Sequence, residues 1–243
     1  MRVMRVNDYG ALSQAAADWV VAQITARPDA AAVFPTGNTP IGLYQELARR
    51  YTLGLFSTTQ LRLFLLDEYW GLADDDPRSF YMWLTRELLN PLSISPRQLT
   101  RLPSHATDPE AAGCAFDAAI TAAGGLDFAV LGLGLNGHLG YNEPPAAADA
   151  PTRVLTLTES SIESAAGYFG GRDRVPRQAI ALGMAPLLAA RHILLIASGE
   201  QKRDILRRAL KGPVTPEVPA SFLQQAPAVT VIADTAAWPE GDA

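Results

Sequence analysis

Apolar residues along the chain recur at two periods, and the two alternate. Residues 9 to 25 place Leu12, Ala15, Ala16, Val20 and Ile24 at helical spacing, which predicts a helix ended near Arg27-Pro28. Short apolar runs at 31 to 34, 61 to 66 and 127 to 133 then read as buried strands, with further strands at 153 to 158, 178 to 182, 192 to 198 and 228 to 233. Helical patterns separate them: one from Pro40, where proline suits a first turn, then 79 to 92, 106 to 123 capped by Thr107 or Asp108, 159 to 167, 184 to 190, and one running to about 210. The Pro-rich GPVTPEVPAS reads as an extended connection, SFLQQA as a short helix, and the closing AAWPEGDA as frayed. About seven strands alternate with helices, the first at residue 31, and no linker or composition shift divides them. The pattern predicts one α/β domain over residues 1 to 243, with an open, mostly parallel, Rossmann-like sheet and helices on both faces.

The chain is organised around residues 127 to 145, DFAVLGLGLNGHLGYNEPP. An apolar run ends there in a glycine-rich turn carrying Asn136, His138 and Glu143, closed by Pro144-Pro145. The carboxyl end of a strand is where an α/β sheet holds ligands. Gly132, Gly134 and Gly137 also fit the spacing G-x-G-x-x-G. A dinucleotide fingerprint needs a helix N-terminus directly afterwards, whereas a histidine, a carboxylate and two prolines follow here. A polar catalytic loop is the better reading.

Two more strand ends carry chemistry. Gly37, Asn38 and Thr39 form a turn into a helix, and its N–H groups, a hydroxyl and the helix N-terminus make a candidate phosphate cradle, although it lacks the G-K-[ST] ending of a Walker loop. Residues 61 to 66 deliver Asp67 and Glu68, and a partly desolvated carboxylate can serve as a base. In isolation a pair of solvated loop carboxylates is the commoner case. GLADDDPRS, next along, is long enough for a rim or lid. Phe80, Trp83, Leu84 and Leu88 read as core. Lys202, in the turn SGEQK, sits in a first helical turn, where a cation opposes the helix dipole and an anionic ligand would justify it.

Composition narrows the partners. The 243 residues are 48% hydrophobic with a net charge of -5. No basic run exceeds Arg49-Arg50 or Arg207-Arg208, so no nucleic-acid footprint is expected. No stretch approaches a membrane span, and MRVMRVNDYG lacks the pattern of a secretion signal, so a cytoplasmic protein acting on small molecules is expected. Cys114, the single cysteine, reads as a core residue, and His105, His138 and His192 are too scattered for a zinc motif.

Three motifs together, PTGNTPIGLY at 35 to 44, LDEYWGL at 66 to 72 and LGLGLNGHLGYNEP at 131 to 144, resemble the glucosamine-6-phosphate deaminase family. That family sits in a wider group with 6-phosphogluconolactonases and ribose-5-phosphate isomerases. SGEQK and GPVTPEVPASFL extend the resemblance nearly end to end. The NEP ending favours the deaminase branch, since the lactonase branch typically has an acidic residue and then GHTAS. The resemblance implies a deaminase-isomerase acting on glucosamine 6-phosphate, or galactosamine 6-phosphate, without metal or cofactor. Asp67 would move a proton from C2 to C1 through an enolamine, and His138 would open the sugar ring, oriented by Asn136 and Glu143. Thr36, Gly37, Asn38, Thr39, Glu68 and Lys202 would bind the sugar phosphate.

Two departures stand out. Many members carry aspartate at Asn136, where an amide can hold the ring but cannot stabilise an imidazolium by charge. The family's phosphate-binding arginine matches Gly167 here, which leaves Arg172, Arg174 or Arg177 as substitutes. The chain also lacks the C-terminal extension of the allosteric, hexameric members, which implies an unregulated monomer or small homo-oligomer. The alternatives are a 6-phosphogluconolactonase-type hydrolase, with His138 as base on water, and a non-catalytic sugar-phosphate sensor.

Overall fold

The computed structural model describes residues 1–73 and 75–238. Its strands are β1 (Arg2–Val6), β2 (Ala31–Phe34), β3 (Arg62–Leu65), β4 (Asp67–Tyr69), β5 (Leu99–Thr100), β6 (Phe128–Gly132), β7 (Arg153–Thr156), β8 (Gln178–Ala181), β9 (His192–Ala197) and β10 (Val229–Asp234). The α-helices are α1 (Tyr9–Ala26), α2 (Ile41–Thr52), α3 (Phe80–Leu84), α4 (Pro109–Ala122), α5 (Glu159–Phe169), α6 (Met184–Leu188) and α7 (Arg203–Lys211). α3 continues as a π-helical turn, Thr85–Leu89.

Seven strands form one sheet in the order β1-β10-β9-β6-β2-β3-β5, every pairing parallel. β2 is buried along its whole length, as β6 and β9 nearly are, which requires cover on both faces of the sheet. The core between sheet and helices is dense in aliphatic side chains. Phe128 anchors it edge-on to Trp19 and Phe34, at ring distances of 5.9 and 5.7 Å. At the amino end of β6, Asp127 accepts from Arg27 at 2.5 Å and from the Ala31 N–H at 2.8 Å, tying two strand starts together.

The connectivity decides where a ligand can sit. β2 and β6 are neighbours, yet the chain leaves β2 for β3 and β5 on one side and leaves β6 for β9 and β10 on the other. At such a reversal the carboxyl-end loops diverge and open a crevice.

Four expectations are corrected. The sheet does not begin at residue 31: β1 precedes α1 and pairs with β10 as an exposed edge, and its alternating, charged sequence hides it from a search for buried runs. β7 and β8 do not join the parallel sheet. They pair antiparallel with β4 in a separate three-stranded sheet, with Asp67 opposite Ala181 and Tyr69 opposite Ala179. Cys114 is exposed rather than core, on the outer side of α4. The closing segment is not frayed at its start, since Ala237 is fully buried and its N–H donates to Asp234 at 2.8 Å; residues 239–243 lie outside the described residues, as does Asp74 of the expected rim. Among the described residues no helix is long and apolar enough to cross a membrane.

Candidate active site

A cavity of about 440 Å³ opens at the carboxyl ends of β2, β3, β6 and β9. The turn after β2 supplies Thr36, Gly37, Asn38 and Thr39, the start of β4, directly after β3, supplies Asp67, the loop after β6 supplies Asn136 and His138, and the turn after β9 supplies Lys202. Four segments far apart in sequence thus meet at the switch point. Asp67 and His138 share one cavity.

Asp67 is 6% exposed. Burial, and then the charge of Glu68, push its carboxyl up to about 8, opposed by a hydrogen bond from the Tyr141 main chain. The histidine loop crosses close by: a Cβ on Gly140 would stand 3.2 Å from the Asp67 Oδ2. Glu68 is a correction. Successive strand residues face opposite ways, so with Asp67 and Tyr69 turned into the cavity, Glu68 points away from it and does not line it. Its carboxylate accepts from the N–H groups of Tyr69, Phe80 and Tyr81, each at 2.9 Å, and so holds the N-terminus of α3.

His138 is held by a network behind it. Its Nδ1 lies 3.2 Å from the Glu143 Oε2, which also accepts from the Asn136 Nδ2 at 2.7 Å. The Asn136 Oδ1 accepts from the His138 main-chain N–H at 3.2 Å, so Asn136 braces the loop and Glu143 and does not grip the ring itself. Ser161, from α5, donates to the other oxygen of Glu143. Burial pushes Glu143 up, but the hydrogen bonds from His138, Ser161 and Asn136 and the attraction of His138 outweigh it and hold the carboxyl below its ordinary value. A charged carboxylate behind the imidazole fixes which ring nitrogen faces the cavity.

The anion-binding candidates split. Gly37, at φ 102°, allows the turn that brings 36 to 39 to the cavity wall. No side chain of that turn caps α2, although the Tyr9 hydroxyl accepts from the Gly42 N–H at 2.8 Å and donates to the Thr39 carbonyl at 3.1 Å. Lys202 donates to the Leu133 carbonyl at 2.5 Å, and burial lowers its affinity for a proton. Arg172, Arg174 and Arg177 do not line the cavity; Arg172 pairs with Glu159 and Glu163, and Arg177 with Glu159. Gly167 leaves open space where a side chain would begin. Among the described residues Lys202 is the one cation of the lining.

α5 contributes what sequence reasoning missed. Ser160, Ser164 and Tyr168 recur every fourth residue, form a polar stripe on one helix face, and line the cavity, with Ser161 beside them. That periodicity was available as a signal, since hydroxyls at i, i+4 and i+8 share a face. Ser161→Ala removes one of the three donors on Glu143. It is expected to cut kcat about tenfold with KM unchanged, as suits one hydrogen bond to a charged group, and Ser161→Thr should restore it. Steady-state kinetics on the three proteins checks this, and an unchanged kcat in Ser161→Ala would remove Ser161 from the network.

Residues 7–232 match the family described as glucosamine-6-phosphate isomerases/6-phosphogluconolactonase. A glucosamine-6-phosphate deaminase of Rhodopirellula baltica is 41% identical over 233 residues, covering 96% of this chain and 92% of the relative. The solved structure of a monomeric glucosamine-6-phosphate deaminase superposes with a TM-score of 0.94 at 34% identity, covering 98% of each chain. A 6-phosphogluconolactonase from Leishmania guyanensis superposes with a TM-score of 0.77 at 21% identity, covering 100% of this chain and 99% of its own, a likeness of fold alone.

Proposed function

The chain belongs to the glucosamine-6-phosphate isomerase/6-phosphogluconolactonase family, and we propose that within it Asp67 and His138 carry out deamination and isomerisation of an amino-sugar phosphate. The enzyme is a glucosamine-6-phosphate deaminase by its relatives, and it takes the hexosamine 6-phosphate and water to the ketose 6-phosphate and ammonia. The observation that carries the residue roles is a buried carboxylate and a carboxylate-backed imidazole facing one cavity that also holds Lys202.

His138 moves the proton that opens the ring, giving the free aldehyde at C1. Asp67 takes the C2 proton, that electron pair forms the C1–C2 double bond, and the C1 carbonyl oxygen becomes a hydroxyl by taking up the proton that the C2 ammonium sheds, which gives the enolamine. The same carboxyl delivers its proton to C1 as the nitrogen lone pair forms the C2 iminium; water adds at C2, one of its protons passes to the nitrogen, and ammonia leaves to give the ketone. A carboxyl at about 8 is mostly protonated at neutral pH in the free enzyme. The substrate ammonium at C2 arrives beside it, and an opposite charge at that distance favours the carboxylate. The base is thus released where the carbon acid sits.

A pH signature follows. kcat/KM, which reports the free enzyme, should fall on the acid side with a limb near the Asp67 value of about 8, whereas the limb in kcat should lie at lower pH. Coincident limbs would mean that the substrate does not shift the base. The overall reading is tested by ammonia release from glucosamine 6-phosphate, galactosamine 6-phosphate and unphosphorylated glucosamine, with hydrolysis of 6-phosphogluconolactone measured alongside. Turnover of a phosphorylated amine is expected. Lactone hydrolysis without ammonia release would overturn the reading.

A further inference from the structure

Resting on the deaminase-isomerase reading, we propose that the Tyr69 hydroxyl, oriented by Tyr141, donates to a sugar hydroxyl beyond the C1–C2 pair and thereby selects the epimer. Tyr69 is 2% exposed and lines the cavity together with Tyr141. The Tyr141 hydroxyl donates to the Tyr69 hydroxyl at 2.8 Å. A phenol has one proton, so that of Tyr141 is committed and that of Tyr69 is not. Among the hydrogen bonds of the described residues, none takes it. Burial drives both phenols above their ordinary values, so both protons are present throughout the working range. Buried donors in folded proteins find acceptors, and the open space beside this one is the substrate cavity. A sugar brings acceptor oxygens.

The placement narrows which oxygen. Asp67 and Tyr69 lie two residues apart on one strand, hence on the same face and roughly 7 Å apart along it. With the Asp67 carboxyl at C2, the Tyr69 hydroxyl addresses an oxygen further along the carbon chain, where C4 configuration separates glucosamine from galactosamine.

The donor is also unable to adjust. The Tyr69 ring packs against Phe80 at 4.7 Å, Phe169 at 4.9 Å and Tyr141 at 5.6 Å, and Tyr141 stacks on Phe80 at 5.6 Å. The Tyr141 proton then fixes the rotation of the Tyr69 hydroxyl. A site built rigidly around one hydrogen bond discriminates against the analogue that cannot make it. Tyr69 is a binding residue in this scheme and Tyr141 a positioning residue.

The test is kcat and KM for glucosamine 6-phosphate and galactosamine 6-phosphate in the full chain, Tyr69→Phe and Tyr141→Phe, with melting temperatures. Phenylalanine keeps the ring packing, so Tyr69→Phe removes the hydroxyl together with its hydrogen bond from Tyr141, and the epimer ratio reads the contact with substrate. The expected result is about a tenfold loss in kcat/KM for the preferred epimer and a smaller loss for the other, with a modest fall in Tm because the Tyr141 hydroxyl loses its acceptor. Tyr141→Phe should move the epimer ratio the same way by less. Tyr69→Phe within twofold of the parent on both epimers, or an equal loss on both, overturns the inference and leaves the deaminase reading standing. If Tyr69→Phe does not fold, an unchanged epimer ratio in Tyr141→Phe overturns it. Parent protein that releases no ammonia from either epimer sinks the deaminase reading and this inference together.

Discussion

Asp67→Asn is expected to lose turnover by roughly 10³-fold, as for removal of a general base, and yet to melt higher than the parent at pH 8. The two effects have one cause. Asp67 is buried and its carboxyl is pushed up to about 8 from an unfolded value of 3.8. Between those values the folded protein holds a proton that the unfolded chain has released, so stability falls as pH rises, and the loss is complete above the folded value. Asparagine has no charge to desolvate. Its advantage should be small at pH 4, close to the unfolded value, and should grow to at least about 2 kcal/mol by pH 8.5, on the order of 4 °C in Tm for a chain of this size. Melting curves of both proteins at pH 4, 6 and 8.5, with ammonia release at pH 8.5, check it. Equal melting at every pH would mean that the carboxyl is solvated and no better placed for carbon acid chemistry than a surface aspartate.

This carboxylate also shows how far the sequence could be read. That Asp67 follows a buried strand was visible in LRLFLLDEY, and that His138 follows another was visible in the glycine-rich loop. A parallel sheet brings such ends to one side, so their convergence was implied by the alternation of elements. What the sequence did not disclose is the departure of Asp67–Tyr69 into a second, antiparallel sheet with β7 and β8. One apolar run continues into the next strand without a turn signal, and strand pairing over more than a hundred residues leaves no local mark. The different fates of Asp67 and Glu68 depend on that departure. Read as loop residues they are equivalent; as neighbours in a strand, one enters the cavity and the other holds α3. The position of Gly167 was legible, but the answer to it was not. Arg172 and Arg177, nearby in sequence, are occupied by the acidic residues of α5 itself, and what α5 offers the cavity is a stripe of hydroxyls.

Gly134→Ala should be nearly as damaging as loss of His138, in a protein that folds normally. A Cβ at this position would stand 2.3 to 2.5 Å from three atoms of the His138 ring, far inside the 3.5 to 4.0 Å at which carbon contacts are comfortable. The backbone is not the obstacle, since Gly134 is not among the positive-φ glycines, and its hydrogen bonds with the His138 carbonyl and the Gly137 N–H are main-chain. The ring can swing away about its side-chain torsions, so the clash is relieved cheaply in stability. The swing separates Nδ1 from Glu143, 3.2 Å away in the native arrangement, and removes the imidazole from the point where it meets the substrate. kcat/KM is expected to drop at least about 10²-fold, the lower range for a displaced acid–base group. The decisive measurement is the double variant. If Gly134→Ala acts only by moving the imidazole, then Gly134→Ala combined with His138→Ala should lose no more than His138→Ala alone, because groups that act as a unit are not additive. A double variant that loses the product of the two single effects would place the damage elsewhere in the loop and would leave the ring-opening role of His138 without its geometric support.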